Sequence, residues 1–174
     1  YLGILWWIIE PVIYMAVFYL IFVSVFNRGG ADRVAFMLTG LVVWKWFAAS
    51  VLQSANCIAL NIGLIRQVYI PKYVFPAIVV LTSTMKFMII FVLLIVFLML
   101  SGKNATLAWL SLPILMGGQL LVMLAIGSVL SAVVTFIPDL KLIIDNGIML
   151  LFFLSGIFFD VSAAPPEIQT YLYL

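Results

Sequence analysis

Long apolar runs separated by short polar turns leave this chain few ways to fold. The runs cover about residues 4–26, 34–60, 74–100, 107–136 and 142–159. A helix needs roughly 20 apolar residues to cross the hydrocarbon core of a bilayer. Inside lipid every backbone N–H and C=O must find its partner within the span or a closed barrel, so unbroken runs of this length read as helices. The pattern predicts an all-α, polytopic membrane protein with five transmembrane helices. Hydrophobic residues make up 67% of the 174 and charged residues 8%, which leaves no material for a water-soluble domain. Residues 1–174 therefore read as a single transmembrane domain. The chain opens at Tyr1 without an initiating Met or a basic leader, so no signal peptide is read, and both termini are expected to be truncated.

The polar interruptions carry the rest of the information. Glu10 and Pro11 break the first run, and both suit a helix start, so the first span is expected to begin near Pro11 with Trp6 and Trp7 in the membrane interface. Residues 27–33 and 101–104 are short polar turns, and residues 137–141 form a tight one. Gly117, Gly118, Gly127, Ser128 and Ser131 in the fourth run are small enough for close helix packing. The fifth run is short, and Pro165 and Pro166 follow it; such segments can mark re-entrant backbone along a pathway, or an ordinary loop before another span. Cations outside the runs fall on both sides (Arg28, Arg33 and Lys103 against Arg66, Lys72 and Lys141), so charge does not orient the chain.

The stretch from Asn61 to Pro76 is unlike the other connections. Asn61 can cap a helix start and Pro71 can stop one. Between them Leu64, Ile65, Val68 and Tyr69 share a helical face, with Arg66 and Gln67 off it. A short amphipathic helix between two spans suits the membrane surface or a groove on a partner protein. The plainer reading is an interfacial helix that only anchors a turn.

Several chemistries are excluded. There is no histidine, which removes zinc-protease helix motifs and Ser–His nucleophiles. Gly102-Lys103 runs into Asn104 and lacks the upstream glycine of a phosphate-binding loop. Asp139 and Asp160 sit at span ends, which leaves Asp145 without a partner for an intramembrane aspartyl protease. A single cysteine, Cys57, forbids an internal disulfide and reads as a buried small residue. A net charge of +2 gives no footprint for nucleic acid. The chain is not read as an enzyme, and no metal or cofactor is expected on it. Inside the runs Lys86 is the costliest charge, on the order of 2.5–3.5 kcal/mol at a helix centre. Thr82, Ser83 and Thr84 can solvate it, or Glu10 can pair with it; a structural hydrogen bond, or a side chain reaching for water, is the alternative. Lys45, beside Trp44, Trp46 and Phe47, can sit near a headgroup or a sugar, although lipid contact is the better expectation for any one ring.

Three stretches resemble one family. Residues 2–22 (LGILWWIIEPVIYMAVFYLIF), residues 38–76, and residues 136–159 (FIPDLKLIIDNGIMLLFFLSGIFF) with the Pro-Pro-Glu beyond them are similar to membrane permease subunits of ABC-type polysaccharide exporters. Such exporters move O-antigen, capsule or teichoic acid chains. The likeness covers nearly the whole chain. Val43 stands where the family often has Pro, Lys45 where a neutral residue is common, and Pro138 where Arg is frequent.

The resemblance implies six spans, of which this chain shows five, in the bacterial cytoplasmic (inner) membrane. It implies that residues 63–71 are a cytoplasmic coupling helix. Gly63, Leu64, Ile65, Arg66, Gln67, Val68, Tyr69 and Pro71 would then meet a separate ATPase. Two copies of the chain would work with two ATPase subunits, which would hold the ATP and Mg. The glycan path would lie between the copies, with Tyr14, Phe18, Lys86, Phe152, Phe153 and Phe159 along it. Asp160, Pro165 and Pro166 would belong to a re-entrant extracytoplasmic gate segment. The competing readings are a same-fold exporter of a lipid or drug, an ion-coupled secondary transporter built on Lys86 and Glu10, and a purely structural membrane subunit.

Overall fold

A computed structural model describes residues 9, 12–13, 16–17, 20, 31–100, 102 and 107–157. The described residues are helical, with no strand among them. Helix α1 spans Ala31–Ala55. The short helices α2, Cys57–Leu60, and α3, Ile62–Gln67, follow. Helix α4 spans Val74–Leu100. After a 3₁₀ turn at Leu107–Ser111 come α5, Leu112–Phe136, and α6, Leu140–Leu154. Helices α1, α4 and α5 pack on one another, and α6 lies against α1 and α5.

Among the described residues, three stretches are long and apolar enough to cross a membrane: Ala35–Ala55, Val74–Leu100 and Trp109–Phe136. They match the second, third and fourth expected spans. The first expected span lies largely outside the described residues, as does everything beyond residue 157. The second ends earlier than expected, because the α-helix breaks at Asn56 (φ −104°, ψ 0°) and restarts for a single turn at Cys57. Asparagine tolerates this intermediate backbone region and competes with helix bonding. The fifth is shorter than expected. Helix α6 has 15 residues, about 22 Å of rise, less than the roughly 30 Å of a hydrocarbon core.

The bundle is built on a four-residue repeat along α1. Leu38, Val42, Trp46, Ser50 and Ser54 lie one turn apart and are all buried, as i, i+4 positions on one helical face should be. The upper part of this seam is bulky. Trp46 stacks on Phe87 of α4 with centroids 4.1 Å apart and planes 10° from parallel. The Trp46 Nε1–H donates to Thr84 Oγ1 at 3.2 Å. Val80, Leu94 and Met123 close the same cluster.

The lower part is small. A Cβ on Gly127 would lie 2.8 Å from Ser54 Cβ, so α1 and α5 approach as closely as backbone allows. Lipid supplies no hydrophobic drive between helices, and close contact of this kind replaces it. Ser131 Oγ–H bonds to the Ser128 carbonyl at 2.9 Å, while the buried Ser50 and Ser54 hydroxyls have no partner among the described residues.

Helix ends follow local chemistry. Pro113 occupies the first turn of α5, and Pro76 the first turn of α4, where a missing N–H costs nothing. The turn expected at 137–141 is present: the Leu140 and Lys141 amides donate to the Ile137 and Pro138 carbonyls at 3.2 and 3.1 Å. Gly156, just past α6, has φ +71°, the left-handed conformation that glycine adopts without strain. The chain then brings Ile157 against α1, where a Cβ on Gly40 would meet its side chain at 3.2 Å.

Candidate functional site

Helices α1, α4, α5 and α6 have alternating directions, so the α1–α4 connection and the α5–α6 turn share one end of the bundle. The α1–α4 connection forms a knuckle there. It is pinned from inside: Cys57, Ile58 and Phe75 are buried together, and Ile65, Ile70 and Val79 pack on them. Burial pushes the Cys57 thiol above its ordinary pKa.

Asn61 opens α3 by its backbone, accepting the Ile65 amide at 3.1 Å. Its side chain turns the other way. Nδ2 donates to the Cys57 carbonyl at 2.8 Å, so it closes α2 rather than capping α3.

The knuckle also differs from an amphipathic helix reaching Pro71. Helix α3 stops at Gln67, and Val68 is extended (φ −134°, ψ 138°) while its amide still donates to the Leu64 carbonyl at 3.1 Å. Of the four apolar residues expected on one face, Ile65 turns inward. Leu64, Val68 and Tyr69 point outward, and Tyr69 is 97% exposed. Gly63, Arg66, Gln67, Pro71 and Lys72 are also exposed. Pro71 does not end α3; its carbonyl instead accepts the Val74 amide at 3.1 Å and starts the next helix.

Within the bundle Lys86 is half-buried on α4. The neighbouring threonines spend their protons on their own helix: Thr82 Oγ1 donates to the Ile78 carbonyl and Thr84 Oγ1 to the Val80 carbonyl, each at 2.7 Å. Glu10 lies outside the described residues. A second group of rings joins α1 to α6. Trp44 lies 5.4 Å from Phe47 and 5.6 Å from Phe152, which lies 5.7 Å from Phe153. Of the expected path residues, Phe152 and Phe153 thus come together with Trp44, whose contact with α6 no spacing in the sequence announces. Tyr14, Phe18, Phe159, Asp160, Pro165 and Pro166 fall outside the described residues.

No family model matches the chain. Curated proteins do. Two proteins named O-antigen export system permease protein RfbA from Klebsiella pneumoniae are 28% and 30% identical, each over 95% of this chain. A protein of the same name from Myxococcus xanthus is 30% identical over 96% of it. The chain is a homologue of O-antigen export permeases. It spans 64% of the length of each of these relatives. The resemblance to polysaccharide-export permeases therefore holds over nearly all of the chain, and with three apolar helices it makes this a multi-pass membrane protein. The similarity leaves out only a few residues of the chain.

Proposed function

We propose that this chain is the membrane subunit of an ATP-driven exporter that carries a polysaccharide, lipid-linked O-antigen or a similar surface glycan, across the bacterial cytoplasmic membrane. The observation that carries the reading is the knuckle: Leu64, Val68 and Tyr69 stand exposed at one end of an apolar bundle whose own sequence has no nucleotide-binding loop. The relatives' name supports the cargo class. Two copies of the chain enclose the path and two ATPase subunits, carrying ATP and Mg, dock on residues 63–71. Closure of the ATPases on nucleotide pushes the knuckle, and the push tilts α1 and α4, which enter and leave it. The polymer slides past aromatic rings, among them Phe152 and Phe153, held by many weak contacts. Tyr14, Phe18, Lys86 and Phe159 complete the path, and Asp160, Pro165 and Pro166 belong to the outer gate. The chain itself performs no chemistry.

The test is purification of the tagged full-length protein in mild detergent. An ATPase with phosphate-binding-loop motifs is expected in equal amount. Arg66→Glu and Tyr69→Ala are expected to leave that complex's ATP hydrolysis running without glycan export. Recovery of the chain alone, with transport retained after reconstitution, overturns the reading.

A further inference from the structure

Helix α1 buries one side of itself and leaves the other uncovered. Val42, Trp46, Ser50, Val51, Ser54 and Ala55 are buried. Residues three and four apart share a helical face, and Lys45, Ala48, Ala49, Leu52, Gln53 and Asn56 make such a stripe, in which none is buried. Lys45 and Gln53 are fully in the exposed class. The stripe lies clear of the seams with α4 and α5, which Trp46 and Ser54 mark.

Its chemistry is not that of a lipid-facing surface. Where α4 and α5 are exposed they show chiefly large apolar side chains, among them Leu81, Val92 and Val96 on α4 and Leu115, Leu121 and Val129 on α5. The α1 stripe instead offers an ammonium, two side-chain amides and two methyl groups beside Leu52. Lys45 stands at the centre of the Ala35–Ala55 span, with about 15 Å of helix to either end. That is farther than a lysine side chain extends, so this one cannot carry its charge to a headgroup. Lys45 has a contact of its own within the chain, and it is still exposed at mid-depth. Ionisable groups held at such depth face water-filled cavities or counter-charges, and they commonly mark pathways. Next to it in sequence, Trp44 meets Phe152 of α6 at 5.6 Å, so aromatic surface and cation occur at one level of the bundle.

We infer that this stripe of α1 lines a water-filled path and that Lys45 favours an anionic chain in it, one bearing carboxylate or phosphate groups. This rests on the exporter reading above and adds the face of α1 that meets the cargo and the sign of the cargo's charge. Gln53 and Asn56 offer amides to hydroxyl groups, and Ala48 and Ala49 leave width. A single ammonium in a wet path attracts an anion weakly, which lets a polymer move on.

The test uses the full-length permease with the ATPase that purifies with it, in proteoliposomes and in a Cys57→Ser background. Ala49→Cys, one turn from Lys45, and Gln53→Cys are treated with an anionic and a cationic water-soluble thiosulfonate. Val92→Cys on α4 is the lipid-facing control. Positions 49 and 53 are expected to react on the order of tenfold faster than position 92, because thiolate forms where water reaches. Lys45→Gln is expected to lower the anionic-to-cationic rate ratio at position 49 by on the order of fivefold. It is also expected to reduce glycan export several-fold with ATPase binding unchanged, while Lys45→Arg keeps most of the export. Unreactive thiols at 49 and 53 overturn the inference: the face is then covered by lipid, by another span or by a second copy, and recovery of the ATPase still upholds the exporter reading. Absence of an ATPase from the purification fells the exporter reading whatever the thiols do. A reactive face whose reagent ratio or export ignores Lys45→Gln overturns the assignment of an anionic cargo.

Discussion

Trp46 shows how much one side chain settles here. Tryptophan in a membrane protein is commonly an interface residue, yet this one is buried between α1 and α4, stacked on Phe87 and bonded to Thr84. Its two interactions separate by mutation. Thr84→Val removes the acceptor while keeping the shape, and should cost about 1 kcal/mol. Trp46→Ala removes the ring, leaves a cavity, and should cost about 3–5 kcal/mol. Thermal unfolding in detergent should rank them in that order; equal losses would mean that the ring is held by its hydrogen bond alone. Cys57 offers a second residue-scale check. Its thiol is buried and its pKa raised by desolvation, so less thiolate exists at any pH than in the unfolded chain. Maleimide should label the folded protein far more slowly than the protein in SDS. The same raised pKa favours the fold while the thiol is protonated, and that stability fades as pH climbs through the raised value.

At the scale of elements, the pairing of α1 with α5 depends on Gly127. Its hydrogen faces Ser54 with no room for a methyl. Gly127→Val should push the helices apart and cost about 1–3 kcal/mol. Gly118 lies on the same helix with nothing within 4 Å of a built Cβ, so Gly118→Val should shift stability by no more than about 0.5 kcal/mol. Similar losses at both sites, read by thermal unfolding, would show that helix propensity rather than contact sets the cost. Helix α6 is a different kind of element. It buries no residue completely and is held through Trp44, Phe152 and the Ile157–Gly40 contact. Of the bundle helices it has the least packing to lose if the assembly moves.

For the whole molecule, the alternation of α1, α4, α5 and α6 sets a testable topology. The knuckle and the end of α4 must lie on opposite faces of the membrane, since one span, Val74–Leu100, separates them. In a Cys57→Ser background, Tyr69→Cys and Leu100→Cys should react with an impermeant maleimide from opposite sides of sealed vesicles. Labelling of both from one side would remove α4 from the membrane. What the sequence by itself determined was the solvent and the helices: lipid demands internal backbone bonding, and run length sets where spans can lie. It also marked residues 61–76 as a distinct connection, and the likeness to export permeases was legible in the order of its segments. What only the tertiary structure decided was which side chain meets which. The spans are apolar nearly all round, so no face is singled out by periodicity, and soluble-protein rules of amphipathicity have little to act on. That Trp46 turns inward, that Ile65 leaves the exposed face of the knuckle, that α3 stops at Gln67 and that Trp44 meets Phe152 all depend on the register between helices. Close packing at Ser54 and Gly127 sets that register, and no local pattern encodes it.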